Sequence, residues 1–146
     1  MTTSENLSKS LYSDNTEEFM ALANSLATEG TTESVGVLLS CFADDFDYYD
    51  EMTVLMHAIE RVNPKVVYAS LSMGLPELNK RAPGWCQELV KRHLRAPGTA
   101  EEGQYSVAAF VAAMKAVPAS WSIADSIANK LVTEEQIPAK VLSHFT

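Results

Sequence analysis

The chain has 146 residues, of which 47% are apolar and 21% charged, a balance typical of one folded domain and not of a disordered chain. Its formal net charge is −8, and the acidic excess lies in residues 1–63, which carry a net charge of −10. Because nucleic acids are bound by clustered Lys and Arg, this distribution argues against a direct nucleic-acid ligand.

The predicted elements begin after a polar N-terminus. Residues 1–13 are rich in Ser and Thr, so we expect a flexible segment there and a single all-helical domain over residues 14–146. Apolar side chains then follow helical spacing over residues 19–26, and Asp14 or Asn15 is a suitable cap for this helix.

Three further helices are predicted before residue 75. Gly30 ends the preceding helix, and Thr32 opens the next one. Another helix is expected over residues 47–62. Pro64 then starts a helix of its own, because proline fits the first helical position.

Prolines divide the next part of the chain. The sequence LPELNK (75–80) predicts a short separate helix around Pro76, and residues 83–95 predict a longer one. Residues 96–103 predict a loop. The chain carries its highest density of basic side chains here, with a net charge of +4 over residues 64–95.

The remaining pattern is also helical. One helix is expected to end before Pro118, a second contains Ile127, and a capping box at Thr133 and Gln136 is expected to open the last. No segment alternates apolar and polar residues over strand length. The sequence therefore predicts an all-α fold of about seven or eight short helices, stacked as antiparallel hairpins in a HEAT-like array or an irregular bundle.

Segments for export or membrane insertion are not predicted. The first 30 residues lack the basic start and apolar run of a signal peptide, and the longest apolar run, residues 107–114, is shorter than the ~20 residues of a membrane span. Cys41 and Cys86 lack the spacing of a disulfide framework or a metal site, so we expect small buried side chains. These features predict a cytoplasmic protein.

The sequence ADDFDYYDE (43–51), here called the acidic segment, is the candidate functional site. Tyrosine beside carboxylates is typical of protein interfaces, because the ring is a rigid anchor and the charges attract Lys and Arg. The predicted partner-binding residues are Asp44, Asp45, Asp47, Tyr49, Asp50 and Glu51.

Two other interpretations of the acidic segment remain open. Asp44 and Asp45 are suitable caps for the helix that follows, and the other acids suit the positive end of its dipole. A calcium loop is a weaker alternative, because an EF-hand needs a central Gly and a distal Glu at fixed offsets, and the segment has no Gly and fails that spacing.

An enzyme is not predicted. The chain contains no Gly-rich phosphate loop, no G-x-S-x-G and no H-E-x-x-H sequence. His57 and Glu60 form one His-x-x-Glu pair, whereas a di-iron bundle needs two Glu-x-x-His pairs on facing helices. We therefore expect no catalytic residue, no metal and no cofactor, and a metal-dependent enzyme at His57 and Glu60 remains the weakest alternative.

Two segments carry a family resemblance. YYDEMTVLMHAIE (48–60) and LPELNKRAPGWCQELVKRHL (75–94) resemble the Imm30-type family of bacterial immunity proteins, over about residues 34–116. The resemblance implies an all-helical, non-enzymatic cytoplasmic protein encoded beside a polymorphic or contact-dependent inhibition toxin.

The same resemblance implies a function and a partner. The chain would bind and neutralise a cognate toxin domain, and a basic nuclease suits the acidic surface because nucleases hold phosphates with cations. The resemblance assigns no individual binding residues. The alternative function is a general helical adaptor or scaffold with no toxin partner, whose binding would depend little on salt.

Overall fold

The computed structural model describes residues 3–12, 15–96 and 105–146, and all regular structure within these ranges is helical. Its α-helices are α1 (Thr3–Tyr12), α2 (Thr16–Glu29), α3 (Thr32–Ser40), α4 (Tyr49–Glu60), α5 (Pro64–Arg81), α6 (Pro83–Leu94), α7 (Val107–Lys115) and α8 (Pro118–Thr133). Two 3-10 segments cover Phe46–Tyr48 and Ala139–Phe145. The predicted all-α fold is confirmed. Most of the loop predicted over residues 96–103 lies outside the described residues.

Helix α2 begins and ends at the predicted residues, and α3 begins at the predicted Thr32. Asn15 caps α2 by accepting the backbone N–H of Glu18, and Gly30 ends it with a left-handed φ of 61°. Thr31 and Ser34 form a reciprocal capping box at the start of α3. These contacts satisfy backbone groups that a helix end leaves without partners.

Helix α1 lies in the segment for which the sequence predicts flexibility. Its Leu7 and Leu11 are four residues apart and therefore share one helix face. Both side chains are buried, and α1 packs against α2 and α3. The polar composition concealed this helix because, among its described side chains, Leu7 and Leu11 are the only buried apolar ones.

Helix α5 is one continuous helix, so the short separate helix predicted around Pro76 is wrong. Proline lacks the N–H that would bond to the carbonyl of Ser72, four residues earlier. The hydroxyl of Ser120 on α8 donates to that carbonyl instead, at 2.5 Å. Ser120 is fully buried, so a distant side chain replaces the missing helical hydrogen bond.

The helices form an irregular bundle around α5. This helix packs against α3, α6, α7 and α8, while α2 packs against α4. In a HEAT-like array each hairpin would contact only its neighbours. Contacts of α5 with both earlier and later helices therefore favour the irregular bundle.

The C-terminal segment differs from its prediction. Thr133 is the last residue of α8, and its hydroxyl donates to Asn129 rather than capping a new helix. Glu135 then turns the chain with a φ of 59°. The final segment is a 3-10 helix that buries Val141 and Phe145.

Candidate functional site

Asp44 links the acidic segment to the start of α6. Its carboxylate accepts the backbone N–H groups of Gly84, at 2.6 Å, and Trp85, at 3.1 Å. Helix α6 begins after Ala82, whose side chain has no acceptor, so Asp44 caps it from 40 residues away. The interpretation that Asp44 caps α4 is therefore wrong, and this carboxylate already has two donors within the protein.

Gly84 makes room for this cap. A Cβ atom built at Gly84 would lie 3.0 Å from one carboxylate oxygen of Asp44, closer than side-chain carbons normally approach. The Pro-Gly pair therefore has two functions at this helix start. Pro83 occupies the first helical position, and Gly84 lets the carboxylate reach the backbone.

Loss of this cap is expected to destabilise the fold. We expect Asp44→Ala to lower the free energy of unfolding by about 1 kcal/mol, because two backbone N–H groups lose their acceptor. Urea unfolding of the two proteins measures the difference. Asp44→Asn is the matched control, since it retains an acceptor oxygen, and it should lose less. Equal stability of Asp44→Ala and the wild-type protein would contradict the capping role.

Trp85 supports the exposed ring of Tyr49. The two ring centroids lie 5.6 Å apart and the ring planes are tilted by 38°. The Phe42 and Trp85 ring centroids are also 5.6 Å apart, with a tilt of 41°. Phe42 is fully buried and Trp85 is 9% exposed, whereas Tyr49 is 57% exposed. These three residues, here called the aromatic stack, therefore connect the core to the surface.

A groove of about 540 Å³ opens between α4 and α6 beside the aromatic stack. The residues that characterise this α4–α6 groove are Asp45, Tyr49, Met56, Trp85, Glu88 and Arg92. Asp44 and His57 also line it. The groove therefore combines part of the acidic segment with part of residues 64–95, here called the basic segment. The sequence did not indicate that these two segments lie together.

The predicted site residues do not form one patch. Tyr49 and Asp45 line the α4–α6 groove. At 100° per residue, Asp50 lies beside that groove on α4, whereas Glu51 lies about 200° from Tyr49, towards the buried face. Asp47 belongs to the 3-10 turn, where its N–H donates to Asp45 at 3.0 Å.

Local structure explains some of the acidic charge. Asp45 accepts a bond within its own turn, and Asp50 and Glu51 lie in the first turn of α4, where the helix dipole stabilises each charge by ~0.3–1 kcal/mol. Within the described residues, no hydrogen bond or ion pair reaches the carboxylates of Asp47, Asp50 or Glu51. These groups remain available to a partner.

Several basic side chains of residues 64–95, including Arg92 at the groove, are already paired within the protein. Arg92 forms an ion pair with Glu60 of α4, and Glu88 pairs with Lys91 at 2.9 Å. Arg81 donates to the carbonyls of Leu39 and Phe42, so it satisfies backbone groups at the C-terminal end of α3. Much of the basic segment therefore holds the bundle together.

Metal binding gains no support from the arrangement of His57 and Glu60. His57 is exposed at the groove, while Glu60 is engaged by Arg92. Across residues 3–12, 15–96 and 105–146, no three His, Cys, Asp or Glu side chains are placed to hold a metal ion.

Both cysteines are buried free thiols, as predicted. Burial and the nearby carboxylate of Asp44 raise the pKa of Cys86 to about 12, and burial raises the pKa of Cys41. In the part of the chain that the structure describes, no helix is both long and apolar enough to cross a membrane.

These features define an all-helical protein with an acidic groove beside an exposed, supported aromatic ring. The sequence profile of immunity protein 30 (Imm30) matches residues 7–102, a span that contains α4, α6 and the groove. The chain therefore belongs to the Imm30 family, as its two quoted segments indicated. Comparison with curated proteins and with solved structures finds no significant match.

Proposed function

We propose that this protein binds and neutralises a cognate bacterial toxin domain through the α4–α6 groove and the acidic segment beside it. Membership of the Imm30 family supports the immunity function and the toxin partner. The observation that supports this surface is the exposed Tyr49 ring, held by Trp85 among carboxylates. Such an arrangement offers a rigid anchor within a field that attracts cations.

A basic toxin domain fits this surface best. Asp47 and Asp50 have no internal partner within the described residues, and Asp45 is exposed at the groove. A nuclease is the proposed class, because nucleases hold phosphates with Lys and Arg and would present those same groups to an acidic inhibitor. The proposed compartment is the cytoplasm, and the proposed mode of action is binding without catalysis.

Charge reversal at the groove tests this function. We expect Asp45→Lys/Asp50→Lys to slow association with the toxin domain encoded beside the gene by at least roughly tenfold at low salt. The difference should shrink as salt rises, because a Debye length of ~8 Å at physiological ionic strength screens exposed charges. Surface plasmon resonance at several salt concentrations measures the rates, and circular dichroism checks the fold.

Two acids of α2 provide the matched control. Glu17 and Asp50 both lie in the first turn of a helix and are exposed, and Glu29 is exposed at the other end of α2. Glu17→Lys/Glu29→Lys changes the net charge equally and should leave association nearly unchanged. Equal slowing by both double variants would show a general charge effect and refute the groove as the docking site. Association that does not depend on salt would favour a helical adaptor.

A further inference from the structure

The α4–α6 groove has the chemistry of a binding site for one positively charged planar side chain. We propose that it binds a single arginine side chain of the protein partner. This inference rests on the proposed function and specifies the contact made at that surface. The aromatic ring, the surrounding charges and the apolar wall of the groove all suit such a side chain.

The aromatic ring that offers its face to the groove is that of Tyr49. Tyr49 lines the groove and is 57% exposed, and Trp85 packs against it with ring centroids 5.6 Å apart. This support keeps the ring at the surface instead of letting it fold into the core. A guanidinium group stacks on such a ring through cation–π and planar contacts.

Carboxylates from the acidic segment and from α6 line the groove together with the Tyr49 ring. Asp45 reaches the groove from the acidic segment, and Glu88 lies three residues after Trp85 and therefore on the same face of α6. Asp44 adds negative charge, although its oxygens already accept two backbone N–H groups. A guanidinium can donate to Asp45, and to the remaining acceptor positions of Glu88 beside its ion pair with Lys91, while its plane lies against Tyr49.

The groove's own cation does not fill this position. Arg92 is the only Lys or Arg among the described lining residues, and it forms an ion pair with Glu60. Three lining carboxylates, those of Asp44, Asp45 and Glu88, outnumber this one guanidinium. Asp44 already accepts two backbone N–H groups and Glu88 is paired with Lys91. The carboxylate of Asp45, which accepts one N–H of its own turn, is therefore the least engaged of the three. The remaining negative charge is complementary to a cation brought by the partner.

The apolar wall favours arginine over lysine. Met56 and the side of Trp85 offer carbon surface along which the methylene stem of a long cationic side chain can lie. Arginine presents a planar, weakly hydrated fork at the end of that stem, whereas lysine presents a compact, strongly hydrated ammonium. A volume of about 540 Å³ has room for the side chain and its flanking backbone.

Three small probes test this site on the isolated protein. N-acetyl-arginine amide carries the charged fork, N-acetyl-citrulline amide carries nearly the same shape without charge, and N-acetyl-lysine amide carries charge without the fork. We expect the arginine probe to shift the indole N–H signal of Trp85 in two-dimensional NMR, with a Kd at least roughly fivefold below those of the other probes. Trp121, which stacks on Phe145 away from the groove, is the internal control.

Two conservative variants separate the contacts. Tyr49→Leu keeps an apolar side chain but removes the ring, and Asp45→Asn keeps an acceptor oxygen for the turn but removes the charge. Each should weaken binding of the arginine probe several-fold, whereas Glu17→Gln on α2 should not. Equal shifts from all three probes, or no shift at Trp85, would overturn the arginine site.

Toxin association, measured in parallel, distinguishes this inference from the proposed function. A toxin domain that binds the wild-type protein, together with an arginine probe that leaves the Trp85 signal unmoved, overturns the arginine site and leaves the immunity function standing. An arginine probe that binds as expected, together with a toxin domain that does not associate, supports the site and overturns the toxin as its partner.

Discussion

Replacing Trp85 with alanine is expected to lower the free energy of unfolding by about 3–5 kcal/mol, the largest loss that we expect from one substitution at the site. The indole is 9% exposed and packs between Phe42 in the core and Tyr49 at the surface. Its removal leaves a cavity beside Phe42 and takes away the support under the Tyr49 ring. Urea unfolding measures the loss of stability.

Trp85→Phe is the matched control for this result. A phenylalanine retains an aromatic ring between the same neighbours, so it should lose clearly less stability than alanine. It should also retain more affinity for the toxin domain at a temperature where both variants are folded. An alanine variant as stable as the wild-type protein would contradict the packing described for the aromatic stack.

Lowering the pH from 7 to 5 is expected to cost about 2 kcal/mol of stability through His93 alone. Burial, with a smaller contribution from the charge of Arg92, lowers the pKa of His93 to about 4. The ring lies among Tyr68, Tyr105 and Phe110, stacked on the last at 5.1 Å. The folded protein therefore keeps this histidine neutral.

The direction of the effect follows from proton binding. The unfolded chain protonates the histidine as the pH falls below about 6.5, while the folded protein does so only near pH 4. As the pH falls from about 6.5 towards 4, proton binding therefore favours the unfolded state more and more. Well above pH 6.5 this loss of stability disappears. Urea unfolding at pH 5, 6 and 7 measures this dependence.

His93→Phe isolates the contribution of His93, because it removes the titrating group and keeps an aromatic ring beside Phe110. This variant should flatten the stability profile between pH 5 and 7, whatever its own stability. A slope that persists unchanged in His93→Phe would assign the acid sensitivity to other groups.

Local patterns predicted the helices well, because periodicity, caps and prolines act within a few residues. Asn15, Gly30, Thr32 and Pro64 delimit helices where the sequence indicates. Pro76 was misinterpreted for a physical reason. Its effect on the helix depends on Ser120, a partner 44 positions further along the chain, which no local rule detects.

The acidic segment shows the same limit at the candidate site. The sequence identified its charge and the outward position of Tyr49, which is 57% exposed. It did not indicate that Asp44 caps α6 or that Trp85 supports Tyr49, because both contacts cross about 40 residues of chain. The start of α6 gave one signal. Ala82 has no side-chain acceptor and Pro83 follows it, so the cap of this helix must come from elsewhere in the chain.

The hydroxyl of Ser120 also bears on how this protein tolerates recombination. The Imm30 profile ends at residue 102, so it contains α5 but not α8. Helix α8 nevertheless supplies the hydroxyl that bonds to the carbonyl of Ser72, the group that Pro76 leaves without a helical partner. A chimaera joined at the profile boundary would replace the α8 that supplies this hydroxyl. If the groove binds the toxin as proposed, exchange of toxin specificity between relatives requires that the groove be transferred with a compatible C-terminal half.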